Sequence, residues 1–482
     1  MILYNKIKRE NLEPYDLAVI GSGIGGSLTA ALNSHQNTIL FEKDKNLGGC
    51  AGTFKRFGNY YNVGATTLVG YEDNHLIKDF FNKLNIKPNI TQSEIAIRVV
   101  QNGKSIDRIK NFEEFLESIE KLYPNKNNRL FWGKIKQLDE KFWKLQKIYY
   151  ARHSFSQYIK TAAFISELIK VFKFDLYKTA DFFIQQTLGD ISKEYQQFID
   201  AQLLITVQAK SHDISLLSLA LGLAYPFHDV FYVNGGMGSL IESIVKQVDI
   251  HRNEEIIKIK KDGQSWAISS NKEQYKAKKI VLNSSVYQSG VLFEDKKIQN
   301  YYNSFLLNDQ SAFVLYLNLK SELDFLEHYQ LIFDDNFSNC ISNSCFISFS
   351  KKSDKKLSSN GYSITISTHT KANFWRYLPK VKYNELKAKT EQELIEKFLE
   401  YFNKVKKEDI IQSFSATSFT FNRYINRYNC GGKVVNFKNI LKLPSHTTPF
   451  KSLYNVGDTI FSGQGWPGVA LGVDILNKEL NL

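Results

Sequence analysis

Cysteine is scarce. Cys50, Cys340, Cys345 and Cys430 are the only four in 482 residues, with no C-x-x-C pair and no zinc-ligand spacing. That excludes a disulfide-stapled scaffold and a structural zinc site and fits a reduced, cytosolic protein. The nine histidines include no pair at helical spacing, and no Ser-His-Asp order or nucleophile elbow occurs, so metal-assisted hydrolysis and acyl transfer have no signature. Apolar runs are short as well. The longest uncharged stretch, Ile214 to Phe227, is interrupted by Gly222 and Pro226 and falls below the roughly 18 apolar residues of a membrane span. The first fourteen residues carry charges throughout and no apolar h-region, so no secretion signal is expected and the cytoplasm is the expected compartment. Acidic residues run short too, 49 against 62 basic, for a formal charge of +13. The basic residues are scattered and accompany no nucleic-acid motif, which leaves a solvated lysine-rich surface or an anionic membrane face as the meaning of the charge. No internal repeat or low-complexity linker stands out. With 43% hydrophobic content over this length, two intertwined domains are expected rather than one core.

What is present is concentrated at the two ends. Near the start, Gly21-Ser22-Gly23-Ile24-Gly25-Gly26 follows a strand-like run, Tyr15 to Ile20, and opens a helical stretch, Ser27 to Leu32. In that setting the glycines serve a tight turn, a close approach to a pyrophosphate and close helix–strand packing, with the pyrophosphate on the N–H groups of the helix start. A second apolar run, Thr38 to Phe41, ends in Glu42, about twenty residues on, where an acid binds the adenosine ribose and disfavours a 2′-phosphate. Gly48, Gly49 and Gly52 add a second glycine-rich loop. Near the finish stand Val456-Gly457-Asp458 and Gly463-Gln464-Gly465-Trp466-Pro467-Gly468. A dinucleotide held by both ends of a chain is read as FAD.

The blocks Gly48 to Gly70, Asn234-Gly235-Gly236-Met237-Gly238-Ser239-Leu240, Val456 to Val473 and, more loosely, Ala416 to Tyr424 occur in one order. In them the sequence resembles the flavin-dependent carotenoid desaturases and isomerases, which include phytoene desaturases and retinol saturases. The resemblance implies an α/β fold: a Rossmann-type FAD-binding domain with an inserted mixed α+β substrate domain, glutathione-reductase-like and amine-oxidase-like. It implies that Gly21, Ser22, Gly23, Gly25, Gly26, Glu42 and Lys43 surround the adenosine diphosphate, that Gly48, Gly49 and Thr66 lie toward the flavin, and that the Ile256 backbone meets adenine. Asp458, beside Gly457, would take a ribityl hydroxyl. The Gly465, Trp466 and Val469 turn would open a helix facing the flavin pyrimidine ring. Asn62, where many relatives carry an acid, and the bulk of Trp466 depart from the pattern and would reshape the substrate end. Cys50 reads as a small packing residue. Hydride transfer between FAD and a hydrophobic polyene or isoprenoid is the implied reaction, as desaturase or isomerase. No catalytic side chain, metal ligand or electron acceptor is assigned. Two alternatives share the architecture: an amine-oxidase or protoporphyrinogen-oxidase relative, and a flavin-free prenyl-binding protein of the GDP-dissociation-inhibitor type.

The expected organisation is discontinuous, with residues 1–70, 231–287 and 410–482 forming the FAD-binding domain and 71–230 and 288–409 the substrate domain. The middle cofactor segment reads as a helix, Ser239 to Val248, and strands His251 to Ile259, Trp266 to Ser270 and Ile280 to Asn283. The first insert reads as mostly helical, from stripes such as Leu76, Ile77, Phe80, Phe81 and Leu84 on one helical face. Within it, Tyr149 to Phe183 combines aromatic and aliphatic residues with Arg152, Lys160, Lys170, Lys173 and Lys178, the composition of an interfacial helix. A peripheral contact with the inner face of the membrane is therefore expected there. A packed helix with a solvated basic face is the alternative. The second insert alternates strand-like runs, Ala312 to Leu317 and Tyr362 to Ser367, with a helix near Glu391 to Phe402, as a sheet flooring a substrate cavity would.

Overall fold

The apolar run Tyr15–Ile20, fully buried from Leu17 to Val19, is too short for a stable helix and forms the centre of a seven-stranded sheet in the computed structural model, which describes residues 13–305, 308–435, 439 and 442–481. The charged segment 1–12 lies outside the described residues. Tyr15–Ile20 pairs in parallel with Thr38–Phe41 on one side and Gln274–Leu282 on the other, with Asp249–His251 and Leu453–Asn455 added as parallel outer neighbours. Ile256–Asp262, Ser265–Ser270 and Gln274–Leu282 form an antiparallel meander on one flank. The register brings Ile20, Phe41, Leu282 and Asn455 to one edge. In open parallel sheets that carboxyl edge is where ligands bind.

A second seven-stranded sheet runs Ile410–Ala416, Gln310–Leu319, Tyr362–Lys371, Ser344–Phe349, His328–Ile332, Ile95–Gln101, Lys104–Ile109, antiparallel apart from one parallel pair. Three hydrogen bonds tie it to the loop after the second glycine-rich segment: Tyr316 Oη to the Val63 carbonyl at 2.5 Å, Ser363 Oγ to the Tyr60 carbonyl at 2.7 Å, and the Thr66 and Ser348 hydroxyls at 2.8 Å. A helical layer, including Phe112–Leu122, Asn128–Trp143, Phe155–Phe172, Ala180–Leu188, Lys193–Val207 and Leu216–Ala224, covers the remaining side. Its core holds the buried guanidinium of Arg108, which donates to Gln202 and the Leu223 carbonyl and lies over Phe115 and Trp132.

Three expectations are corrected. Ile410–Ala416, expected in the FAD-binding unit, pairs antiparallel with Gln310–Leu319 and belongs to the second sheet. The expected single strand from His251 to Ile259 is two, because Asn253 turns left-handed (φ 53°) and the Glu254 N–H is drawn to the Glu42 carbonyl at 2.9 Å. The first insert also contributes the hairpin of Ile95–Gln101 and Lys104–Ile109, turned by Asn102-Gly103, both with positive φ.

Candidate functional site

Each strand at the carboxyl edge of the first sheet is followed by a residue that builds the site. Ile20 leads to Gly21, Phe41 to Glu42, Leu282 to Asn283, and Asn455 through Val456 to Gly457 and Asp458. Gly21, at φ 99°, turns the chain into the helix Ile24–Leu32. A Cβ on Gly26 would sit 2.0 Å from the Gly21 carbonyl and 2.9 Å from Asn283 Cβ, so only glycine lets the helix lie against the strand. Ser22 organises the turn: its N–H and hydroxyl both donate to Glu42, at 2.9 and 2.6 Å, and its oxygen accepts the Gly48 N–H at 3.1 Å. Asn283 Nδ2 donates to the Gly21 carbonyl at 3.2 Å from beneath.

The expected cofactor set, apart from Gly26, lines one cavity of about 980 Å³, at the upper end of the roughly 300–1,000 Å³ of ligand pockets. Gly26 instead lies on the face of the helix turned to the sheet, against the Gly21 carbonyl and Asn283. Lys43 points away from the sheet and donates to Asn426 Oδ1 at 2.5 Å and the Arg423 carbonyl at 3.3 Å. Arg423 and Tyr424 are exposed. The cation of that region that turns inward is Arg427, which sequence reasoning missed; its Nη1 sits 3.0 and 3.1 Å from the two oxygens of Asp458 and 3.8 Å from Cys50 Sγ. Burial alone would lower its pKa, but the Asp458 charge outweighs that and raises it. Burial pushes the Cys50 thiol up, which keeps it a neutral packing group.

Several features fit a bound dinucleotide. Neither Ile24–Leu32 nor Gly465–Leu480 has a side-chain cap, so both helices present first-turn N–H groups to the cavity. Gln464, which precedes the second, spends its amide on the Thr206 carbonyl at 3.1 Å. Trp466 Nε1 and Arg427 Nη2 are buried donors without a partner among the described residues. A Cβ at Gly49 would meet only Gly23 Cα, at 3.9 Å, so the space over that loop is open to a ligand.

Beyond the glycine turns the cavity is mainly apolar, with walls from Ala312, Val314 and Phe346 of the second sheet and Leu217 and Leu221 of the helical layer. It reaches Phe164, Ile165, Leu168 and Ile169 of Phe155–Phe172, and Leu176 and Tyr177 just after. One wall is ionic. His228 lies 2.7 Å from Asp139 and 3.3 Å from Glu72, and Trp143 Nε1 donates to the other oxygen of Asp139 at 3.1 Å. Burial would depress His228, but the hydrogen bonds and charges of Asp139 and Glu72 hold its pKa up at about 9. For Glu72, burial is likewise outweighed, here by His228 and the Asp229 N–H, leaving its pKa at about 2. No helical spacing could have announced this trio, because its members come from three separate elements. No His, Cys, Asp or Glu group suited to a metal occurs among the described residues, and all four cysteines are free.

A largely parallel sheet that delivers two uncapped helix ends and the Glu42 and Asp458 carboxylates to one mainly apolar cavity defines a Rossmann-type flavoprotein oxidoreductase. Residues 28–429 match the flavin containing amine oxidoreductase family, and the chain belongs to that family. It is an FAD-dependent oxidoreductase. It is 23% identical over 505 residues to prolycopene isomerase 2, chloroplastic, of an Oncidium hybrid cultivar, covering 96% of this chain and 83% of that one. The corresponding Arabidopsis thaliana prolycopene isomerase is 22% identical over 500 residues, covering 95% and 81%. Among solved structures, an oxidoreductase from Methanosarcina mazei superposes with a TM-score of 0.64 at 19% identity, over 96% of this chain and 99% of that one.

Proposed function

We propose that the chain acts on a long hydrophobic isoprenoid polyene as an isomerase or desaturase, taking its substrate from a membrane surface. The observation that carries this reading is the continuity of one cavity from the two helix N-termini to Phe155–Phe172 and the turn after it. That segment exposes Phe155 and Phe174, at 82% and 84%, and Tyr158 and Ile159, and the next helix, Ala180–Leu188, adds Phe182. Ile169 and Tyr177 are exposed and line the cavity, joining outer surface to interior. Lys160 is spent on Glu479 and Lys178 on Asp175, but Lys170 and Lys173 stay exposed beside Phe174, as an anionic bilayer interface favours. No helix among the described residues is long and apolar enough to cross a membrane, so such contact would be peripheral.

Bound FAD supplies a hydride acceptor or donor at N5. In this reading the N–H groups at Gly23 to Gly25 hold the diphosphate, Glu42 the adenosine ribose, Asp458 a ribityl hydroxyl, and the Gly465 to Gly468 turn the pyrimidine edge. Val314, Phe346 and Leu217 then align the polyene and exclude water, which matters more than acid–base groups for a hydrocarbon. The test mixes FAD-loaded protein anaerobically with liposomes carrying an acyclic cis-polyene, once as oxidised and once as pre-reduced protein. Bleaching of the oxidised flavin supports a desaturase, and a changed cis/trans pattern with pre-reduced protein supports an isomerase. An unchanged polyene in both arms, with the flavin bleached by a polyamine instead, overturns the polyene reading in favour of an amine oxidase.

A further inference from the structure

We propose that Arg427 anchors the diphosphate of FAD, holding Asp458 with one amino group and a diphosphate oxygen with the other. The proposal rests on the flavin reading and concerns a residue outside the glycine motifs. The helix Ser418–Ile425 ends at Asn426, which is left-handed at φ 50°, and this turn directs Arg427 inward instead of along the exposed helix face. There its five donors are unequally spent. Nε donates to the Asn429 carbonyl at 2.9 Å and Nη1 to Asp458, whereas Nη2 is buried and makes no hydrogen bond among the described residues. A buried charged donor left unpaired loses its hydration without return, so the site is built for an acceptor.

The surroundings narrow what that acceptor is. Asp458 and the Cys50 thiol are already engaged through Nη1, and no second acidic side chain among the described residues bonds the guanidinium. On the facing side, a Cβ at Gly25 would lie 3.1 Å from the Gly457 N–H, so the start of Ile24–Leu32 adjoins the Gly457-Asp458 turn. The uncapped helix end supplies only about half a positive charge. The diphosphate is the part of FAD that is ionised in every redox state. Lys43 spends its ammonium on Asn426 and the Arg423 carbonyl, and Lys433, although it borders the cavity, is exposed. With the His228 charge spent on Asp139 and Glu72, Arg427 is thus, among the described residues, the cavity cation that keeps a buried donor free to balance the diphosphate. Its planar fork also suits holding a carboxylate and a phosphate at once.

The experiment titrates FAD and riboflavin separately into flavin-stripped full-length protein, following flavin fluorescence at low and moderate salt, for wild type, R427Q and R427K. Folding of each is checked by circular dichroism. R427Q is expected to weaken FAD binding by about 10- to 100-fold, the loss of a charge-assisted pair, and to flatten its salt dependence. Riboflavin, which lacks the diphosphate and keeps only the ribityl contact through Asp458, should lose much less than FAD between wild type and R427Q. R427K, which keeps the charge without the fork, should fall between them and retain the salt dependence; if R427Q does not fold, this comparison decides. Unchanged FAD affinity in the folded variants, or an equal loss for riboflavin, overturns the proposal and leaves the flavin reading standing. Failure of folded wild-type protein to bind FAD would overturn the flavin reading itself.

Discussion

At the scale of single residues, the glycines of the first turn divide into those that face the cavity and one that faces the sheet. Gly26 is the second kind, and the atom opposing its missing Cβ is a backbone oxygen, which cannot rotate away. Gly26→Ala is expected to destabilise the protein by about 1–3 kcal/mol or more, as overpacking does, and to release FAD with it. Gly133, within Asn128–Trp143, has no atom within 4 Å of its missing Cβ. Gly133→Ala should stabilise by about 0.5–1 kcal/mol through helix propensity. Thermal unfolding of the pair checks both, and equal effects would remove the packing argument. The positions legible in the sequence were those close behind a strand: Gly21 and Glu42 follow one directly, and Asp458 comes three residues after another. Arg427 and Asn283 were not legible, because each acts on a partner far along the chain, Asp458 and Gly21. No spacing rule encodes such pairs.

At the scale of elements, Phe155–Phe172 and the turn following it carry both the cavity mouth and the exposed aromatics. The triple substitution of Phe155, Phe174 and Phe182 by Ser removes rings that are more than half exposed, so folding should change little. Binding to anionic liposomes should fall at least tenfold, given roughly 1.5–3 kcal/mol for each fully buried ring. Co-sedimentation measures this, and undiminished binding would detach the mouth from the membrane. The Phe164, Leu168 and Phe172 stripe of this helix is buried, so its outward face had to be found from the packing. Elements with a strong period, such as Tyr15–Ile20 and Thr38–Phe41, were readable in the sequence. Those governed by tertiary pairing were less so. The hairpin at Asn102-Gly103 carried a clear turn signal, but it lay inside a stretch dominated by helical stripes. Ile410–Ala416 has nothing in its sequence to choose between the two sheets.

At the scale of the whole molecule, the Glu72, His228 and Asp139 trio joins three parts of the chain: the segment before Leu76–Lys83, the approach to Val230–Val233, and the helical layer through Asn128–Trp143. Asp139 is almost fully buried, so the trio behaves as an interior ion cluster rather than a surface bridge. His228→Leu leaves the buried Asp139 carboxylate without its cation, while Glu72 keeps Lys110 at 3.5 Å, at an expected cost of about 3–5 kcal/mol. The same cluster sets a pH dependence with a definite sign. His228 has a pKa of about 9 in the folded chain against about 6.5 when unfolded, so its stabilisation is complete below about 6.5 and is lost as pH rises toward 9. Glu72 runs the other way: its folded pKa of about 2 makes its contribution full above its ordinary range near 4.5 and lost as pH falls toward 2. The trio therefore supports the fold best between about pH 5 and 6.5. His75, whose ring centroid is 5.3 Å from that of His228, has its pKa lowered by burial and then by the His228 charge. Melting temperatures of wild type should decline from pH 6.5 to 9, and those of His228→Leu should decline less over the same interval. Parallel curves for the two proteins would show that the His228 pKa is the same in the folded and unfolded chain, and that the trio adds no pH-dependent stability.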